Sequence, residues 1–159
     1  MEEDGGYVSP DLQADYVIDV SIRDMVISGR HASIGLNERA DADDIAAVRY
    51  WIRHFDLEEF IHRRPRELSY GQLRRALLAR AMAAAPRLLL LDEPFTGLDA
   101  AQRAAMRSML DGLMARGVTV VMAVHHAEDL PAGITHVLHL HKRRAHARAL
   151  RTATRIPGG

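Results

Sequence analysis

Segments rich in apolar residues recur along the second half of the chain and predict strands. Residues 88–91 are four consecutive leucines, residues 118–124 are rich in β-branched residues, and residues 134–140 form a third segment. A run of leucines without polar alternation is typical of a parallel strand that is covered on both faces. Residues 5–10 predict a further short strand that breaks into a loop. The predicted fold class is therefore α/β.

Apolar positions at helical spacing, together with capping residues, predict helices between these strands. The predicted helices are residues 20–27, stopped at Gly29; a helix capped by Asp41 or Asp43 and carrying Ile45, Val48, Ile52 and Phe55; residues 72–85, ended by Pro86; and residues 100–116, with Gly117 as the C-cap. Strands alternating with helices in this way are typical of a parallel sheet.

Composition limits the class of protein. The chain has 159 residues, 48% of them hydrophobic, which suits one globular domain with a real core. It lacks cysteine, a signal-peptide pattern and an apolar stretch near the roughly 20 residues of a membrane span. Residues 141–159 carry six basic residues and no acids, and we expect them to form a basic, disordered tail. A basic tail could touch nucleic acid or anionic lipid, but a basic terminus is more often only solvated, so we do not expect nucleic acid as a partner.

Two motifs stand close together between residues 68 and 99. Residues 68–72 read LSYGQ and precede a helix, and a helix N-terminus with a serine hydroxyl suits a phosphate group. Asp92 and Glu93 follow the leucine strand, at the edge where open α/β sheets bind ligands. A carboxylate there can hold Mg²⁺, and its neighbour can polarise an attacking water. Taken alone, the first motif could equally be an ordinary helix cap, and the second a buried strand followed by two solvated acids.

In this order the motifs resemble the signature loop, Walker B strand and D-loop of ABC-type ATPases. The resemblance implies a partial P-loop NTPase (RecA-like) parallel sheet, formed by residues 1–19 and 86–140, with an α-helical subdomain at residues 20–85. It implies ATP and Mg²⁺ as cofactors and Asp92 as the magnesium ligand. Glu93 and His125 would be catalytic, with His125 as the switch histidine. The implied nucleotide-binding residues are Ser69, Gly71, Gln72, Asp99 and, on weaker grounds, Gln13.

The phosphate-binding motif G-x-x-x-x-G-K-[ST] occurs nowhere in these residues, and Lys142 is the only lysine. We therefore expect a fragment: a truncated product, a wrongly assigned start or a split cassette, inactive alone. In the resembling fold the P-loop strand lies between the strands here predicted at residues 118–124 and 134–140. Without that strand, the two either remain about 10 Å apart, leaving a slot, or close and pair directly.

The resemblance implies a protein that couples ATP binding and hydrolysis to transport. Residues 28–36 and 125–136 are similar to the molybdate-associated branch of the family. The expected partners are a second cassette, arranged head to tail, and a membrane permease, and the expected location is the cytoplasm, at the inner face of the membrane. One alternative is a non-catalytic module that offers its signature loop to a complete cassette. A further alternative is a chromosome-maintenance ATPase. Such proteins carry long heptad coiled coils before the signature loop, and residues 20–67 show no heptads, so this alternative is disfavoured.

Overall fold

A computed structural model describes residues 5–9, 19–31, 41–142 and 144–150. It contains five strands: β1 (Gly5–Val8), β2 (Leu88–Asp92), β3 (Thr119–Ala123), β4 (His136–His141) and β5 (Arg144–Ala149). Its α-helices are α1 (Ile22–Ser28), α2 (Ala42–His54), α3 (Tyr70–Ala83) and α4 (Ala100–Ala115). No helix in these ranges is long and apolar enough to cross a membrane.

Strands β1, β2 and β3 form a parallel sheet with β2 in the centre. The predicted α/β class with a parallel sheet is confirmed. One face of the sheet is buried, because Leu89 and Leu91 are 0% and 3% exposed. The expectation that both faces are covered was wrong. On the other face Tyr7, Leu90 and Val121 lie in register across the three strands and are 54%, 38% and 54% exposed.

The first three helices pack against one another and build most of the core. Helix α1 begins at the cap Ser21 and ends before Gly29, as predicted. Asp41, rather than Asp43, caps α2 and forms a reciprocal pair of hydrogen bonds with Asp44. Gly117 lies one position beyond the observed C-cap, Arg116, and adopts a left-handed φ of 90°.

Strands β4 and β5 form an antiparallel hairpin that stands apart from the parallel sheet. The expected disordered tail at residues 141–159 was therefore wrong for residues 144–149, which pair with β4 throughout their length. Residues 151–159 lie outside the described part. Every described side chain of β5 is exposed, so its strand state comes from backbone pairing with β4 rather than from burial.

A slot separates β3 from β4, and within the described ranges no backbone pairing joins them. Its volume is about 960 Å³, and it is lined by residues 118–127 and by most of residues 130–140. Of the two outcomes considered from the sequence, the strands have remained apart. The β3 edge facing the slot therefore presents backbone groups without a neighbouring strand in the described structure.

His54, at the end of α2, gives the fold an expected sensitivity to pH. Its Nε2 is buried without a hydrogen-bond partner in the described structure. Burial lowers the pKa of His54, the charge of Arg116 lowers it further, and Asp56 partly opposes them. Because the unfolded chain then takes up a proton more readily, stability should be fully present above a pH of about 6.5 and be lost as the pH falls through the folded pKa.

The test is denaturant unfolding between pH 7.5 and 5, comparing wild type with His54→Phe, which retains a ring against Trp51 and Phe55. We expect the variant to lose less stability across this range. His62→Asn, at an exposed histidine, should follow the wild-type profile. Identical profiles for wild type and His54→Phe would contradict the assignment.

Candidate nucleotide site

Glu93 and His125 meet at the carboxyl ends of two neighbouring strands. Glu93 directly follows β2, and His125 comes two residues after β3. The His125 Nε2 lies 2.5 Å from the Glu93 Oε1. Of these two residues, His125 also lines the slot beside β3. Two residues expected to be catalytic are therefore in direct contact, although 32 positions separate them in the sequence.

The Glu93 carboxylate is held in its ionised form. Its pKa is lowered, first by the hydrogen bond with His125 and next by the hydroxyl of Thr96, which donates to Oε2 over 3.0 Å. The Glu93 side chain is 34% exposed, so water can reach it. An ionised, accessible carboxylate at a strand end can accept a proton from water or orient it.

The backbone at Glu93 adopts an uncommon conformation. Its φ is 46°, in the left-handed region that residues other than glycine seldom occupy. Its N–H donates to the Ala123 carbonyl over 3.1 Å, which ties the start of the turn to β3. Its carbonyl accepts from the Thr96 N–H over 3.2 Å and from the Arg74 guanidinium over 3.0 Å. These bonds fix the direction in which the side chain leaves the sheet.

Asp92 is the last residue of β2 and lies opposite Ala123 of β3. The described residues contain no group of three or more His, Cys, Asp or Glu side chains that could hold a metal ion. Magnesium commonly binds through one or two carboxylates and completes its shell with water and substrate phosphates. A single half-buried carboxylate beside Glu93 fits that kind of site, so Asp92 could hold Mg²⁺ in the presence of a nucleotide.

Ser69 and Gln72 open α3 through a reciprocal cap. The Ser69 hydroxyl accepts from the Gln72 N–H over 3.3 Å, and the Gln72 side chain accepts from the Ser69 N–H over 2.8 Å. The predicted serine cap is thus confirmed. Gly71 lies close to α4, because a Cβ added there would come 3.3 Å from the Gln102 side chain. The expected nucleotide-binding residues of this loop therefore form one compact helix start.

Asp99 begins α4 in the same manner. Its carboxylate accepts from the Gln102 N–H over 2.8 Å, and the Gln102 side chain accepts from the Asp99 N–H over 3.2 Å. Since Gln102 also lies against Gly71, the helix starts of α3 and α4 adjoin each other. The structure thus groups Asp99 with Ser69, Gly71 and Gln72 at the adjoining starts of α3 and α4. The remaining expected site residue, Gln13, lies outside the described residues.

An ion pair that sequence reasoning missed joins helix α4 to the segment that follows His125. Arg103 donates to both oxygens of the buried Asp129, over 2.9 and 3.1 Å, and to the Leu98 carbonyl over 3.1 Å. Asp129 is 4% exposed. Thr96 and Arg74 were missed as well. None of these residues belongs to a short motif, because their contacts arise only when distant loops fold together.

Comparison with known proteins identifies the family. The sequence profile described as ABC transporter matches residues 9–96, which is more than half of the chain. The ABC transporter ATP-binding protein ModF of Escherichia coli is 39% identical over 84% of this chain and 28% of its own length. The molybdenum import ATP-binding protein ModC of Mycobacterium tuberculosis is 41% identical over 70% of this chain and 30% of its own.

A manganese transport ATP-binding protein, MntB of Halalkalibacterium halodurans, is 34% identical over 86% of this chain and 54% of its own length. The chain thus spans between 28% and 54% of these curated relatives.

Solved structures agree with the sequence matches. An ABC transporter in an inward-facing conformation superposes with a TM-score of 0.79 at 28% identity, covering 91% of this chain and 57% of that one. A bacterial ABC transporter cassette solved as a dimer gives 0.74 at 21% identity, covering 92% and 62%, and supports the fold alone. The chain belongs to the ABC transporter family, and its fold is that of the family's ATP-binding cassette.

Proposed function

We propose that this chain provides the signature loop, the Walker B carboxylates and the switch histidine of an ATP-hydrolysing cassette that drives transport. The observation that carries the proposal is the contact of Glu93 with His125, which lines an open slot beside β3. A strand entering that slot would deliver its following loop to these two side chains. The unit that fits is a strand, a G-x-x-x-x-G-K-[ST] loop and a helix.

The partly exposed face of the parallel sheet also favours the addition of a strand–loop–helix unit. Parallel sheets are ordinarily covered on both faces, and the row of Tyr7, Leu90 and Val121 is partly exposed. In a strand–loop–helix unit the helix packs back on the sheet beside its strand. One such unit would therefore pair with the β3 edge and cover the exposed row. The loop between its strand and helix would stand next to Glu93 and His125.

The roles of the residues follow from their chemistry. With ATP bound, Asp92 would hold Mg²⁺, which supplies positive charge to the β- and γ-phosphates. The Glu93 carboxylate would orient and deprotonate the attacking water, since it is ionised and accessible. His125 would donate a hydrogen bond to a γ-phosphate oxygen after turning away from Glu93. Phosphoryl transfer needs mainly such positioning and charge stabilisation.

A second cassette would complete the enzyme. We propose a head-to-tail arrangement in which Ser69, Gly71 and Gln72 face the nucleotide of the other cassette. The start of a helix favours the negative charge of a phosphate through the helix dipole. Asp99 adjoins this loop through Gln102 and would lie at the same boundary.

We propose a cytoplasmic location at the inner face of the membrane, where the cassette would act on a permease. The proposed cargo is molybdate, because the relative named for molybdenum import is 41% identical and the one named for manganese transport is 34% identical. Residues 28–36 and 125–136, which are similar to the molybdate-associated branch, support the same choice.

The proposed function is tested by measuring ATP binding by the chain with and without the strand–loop–helix unit. A P-loop segment, comprising strand, loop and helix, is supplied in trans or fused ahead of residue 1. We expect MgATP to bind only when the two parts are combined. Equal binding by the 159-residue chain alone would contradict the proposed division of the site.

A further inference from the structure

Arg74 is a charged side chain in the interior of the protein. It lies one helical turn after Tyr70 in α3, and it is 0% exposed. Arginine is almost never fully buried unless its donors are satisfied. The packing of α3 alone therefore does not explain why an arginine occupies this position.

The guanidinium of Arg74 connects two parts of the proposed enzyme. Its Nη1 donates to the Glu93 carbonyl over 3.0 Å, and its Nη2 donates to the Tyr70 hydroxyl over 2.5 Å. It also lies over the Tyr70 ring, 5.0 Å from the centroid. Tyr70 belongs to the LSYGQ segment at the start of α3, whereas Glu93 follows β2. The rigid planar guanidinium of Arg74 thus connects the start of α3 with the turn that follows β2.

Tyr70 is itself held against the loop before α4. A Cβ added at Gly97 would lie 3.0 Å from the Tyr70 ring, so the ring covers a position where only glycine fits without a shift. Gly97 also has a φ of 76°. A displacement of the LSYGQ segment would therefore move the Tyr70 ring, and with it the partner of the Arg74 guanidinium.

We infer that Arg74 is a positioning residue that couples the Ser69–Gln72 loop to the Glu93 carboxylate. The inference rests on the proposed function, in which that loop faces the nucleotide of the other cassette and Glu93 serves the nucleotide of its own. Arg74 acts through the Glu93 carbonyl, at a residue with a φ of 46° whose other backbone hydrogen bonds join it to Ala123 and Thr96. It sets the direction in which Glu93 meets His125, and it links the state of one nucleotide site to the geometry of the other.

The test measures the contact between the Glu93 and His125 side chains through nuclear Overhauser effects between their hydrogens, in the full chain at one fixed pH and without nucleotide. The variants are Arg74→Lys, Arg74→Met and Tyr70→Phe. Arg75→Met is the matched control, because Arg75 also donates from Nη1 to a backbone carbonyl, that of Phe55, over 3.1 Å, and it lies one position along the same helix. Denaturant unfolding of each variant records global stability separately.

We expect these Overhauser effects to weaken in both Arg74 variants, because the Glu93 side chain loses its alignment with His125. Tyr70→Phe should weaken the Overhauser effects by less, and Arg75→Met should leave them at the wild-type intensity. Wild-type intensities in Arg74→Lys would overturn the inference, since lysine retains the charge and loses the planar geometry.

Should Arg74→Met fail to fold, Arg74→Lys and Tyr70→Phe decide the outcome. A loss of intensity in Arg75→Met equal to that in Arg74→Lys would also overturn the inference, because it would report general loosening of α3. No ATP turnover enters this measurement. It can therefore fail while the proposed function stands, and the function can fail while the coupling is confirmed.

Discussion

In a cassette completed with a P-loop segment, Glu93→Gln is expected to lower the rate of ATP hydrolysis by about 10²- to 10⁴-fold, the range that a positioned general base contributes. Glutamine has nearly the same shape and can still accept a hydrogen bond. It cannot take a proton from water, and it removes the charge that pairs with His125. Steady-state phosphate release measures the effect, and ATP binding should change little.

The matched control is Glu128→Gln, at an exposed acid three residues after His125 in the same loop region. Its rate should equal that of the wild type, because the Glu128 side chain makes no contact with Glu93 or His125 among the hydrogen bonds and ion pairs of the described structure. If Glu93→Gln hydrolysed ATP at the rate of Glu128→Gln, the role given to Glu93 would be wrong.

The second large effect is expected in hydrogen exchange along β3. The Thr119 N–H donates to the Arg87 carbonyl beside β2, and N–H groups alternate in direction along a strand. Those of Val121 and Ala123 therefore also face β2, whereas those of Val120 and Met122 face the slot. When a P-loop segment is added, exchange at Val120 and Met122 should slow by a factor on the order of 10² or more, because an open edge becomes a paired one.

Val121 is the internal control, since its N–H is paired with β2 whether or not the slot is filled. In the isolated chain it should exchange slowly while Val120 and Met122 exchange fast. Slow exchange at all three positions in a monodisperse monomer would show that β3 pairs on both edges. The open slot would then not describe the protein in solution.

The regular elements could be predicted from the sequence because their signals are local. The four leucines of β2 and the caps Ser69 and Asp41 each act within a few residues. The exposure of Leu90 could not be predicted in this way. A run of leucines indicates a strand suited to cover on both faces, but whether that cover is present depends on other segments.

The hairpin of β4 and β5 escaped prediction for a related reason. A segment of arginine, histidine and alanine has the composition of a solvated terminus, and its strand state comes from pairing with residues 136–141. Pairing between strands depends on register and on the turn at Lys142, which has a φ of 45°. Amino-acid composition predicts neither the register nor the turn.

Part of the candidate site was accessible from motifs and part was not. The positions of Glu93 and His125 at adjacent strand ends follow from strand order in a parallel sheet, and the structure places the two side chains in contact. The contacts of Arg74 with Glu93 and of Arg103 with Asp129 span 19 and 26 positions. Neither arginine differs in local sequence from one on a solvated helix face, so only the folded chain reveals them.

The central claim is that this chain forms an ATP site when a phosphate-binding loop enters the slot beside β3. Titration of MgATP into the chain, the P-loop segment and their mixture tests it most directly, with a segment whose P-loop lysine is replaced by alanine as the control. We expect saturable binding by the mixture alone and much weaker binding with the control segment. Binding by the mixture no tighter than by either separate part would contradict the claim.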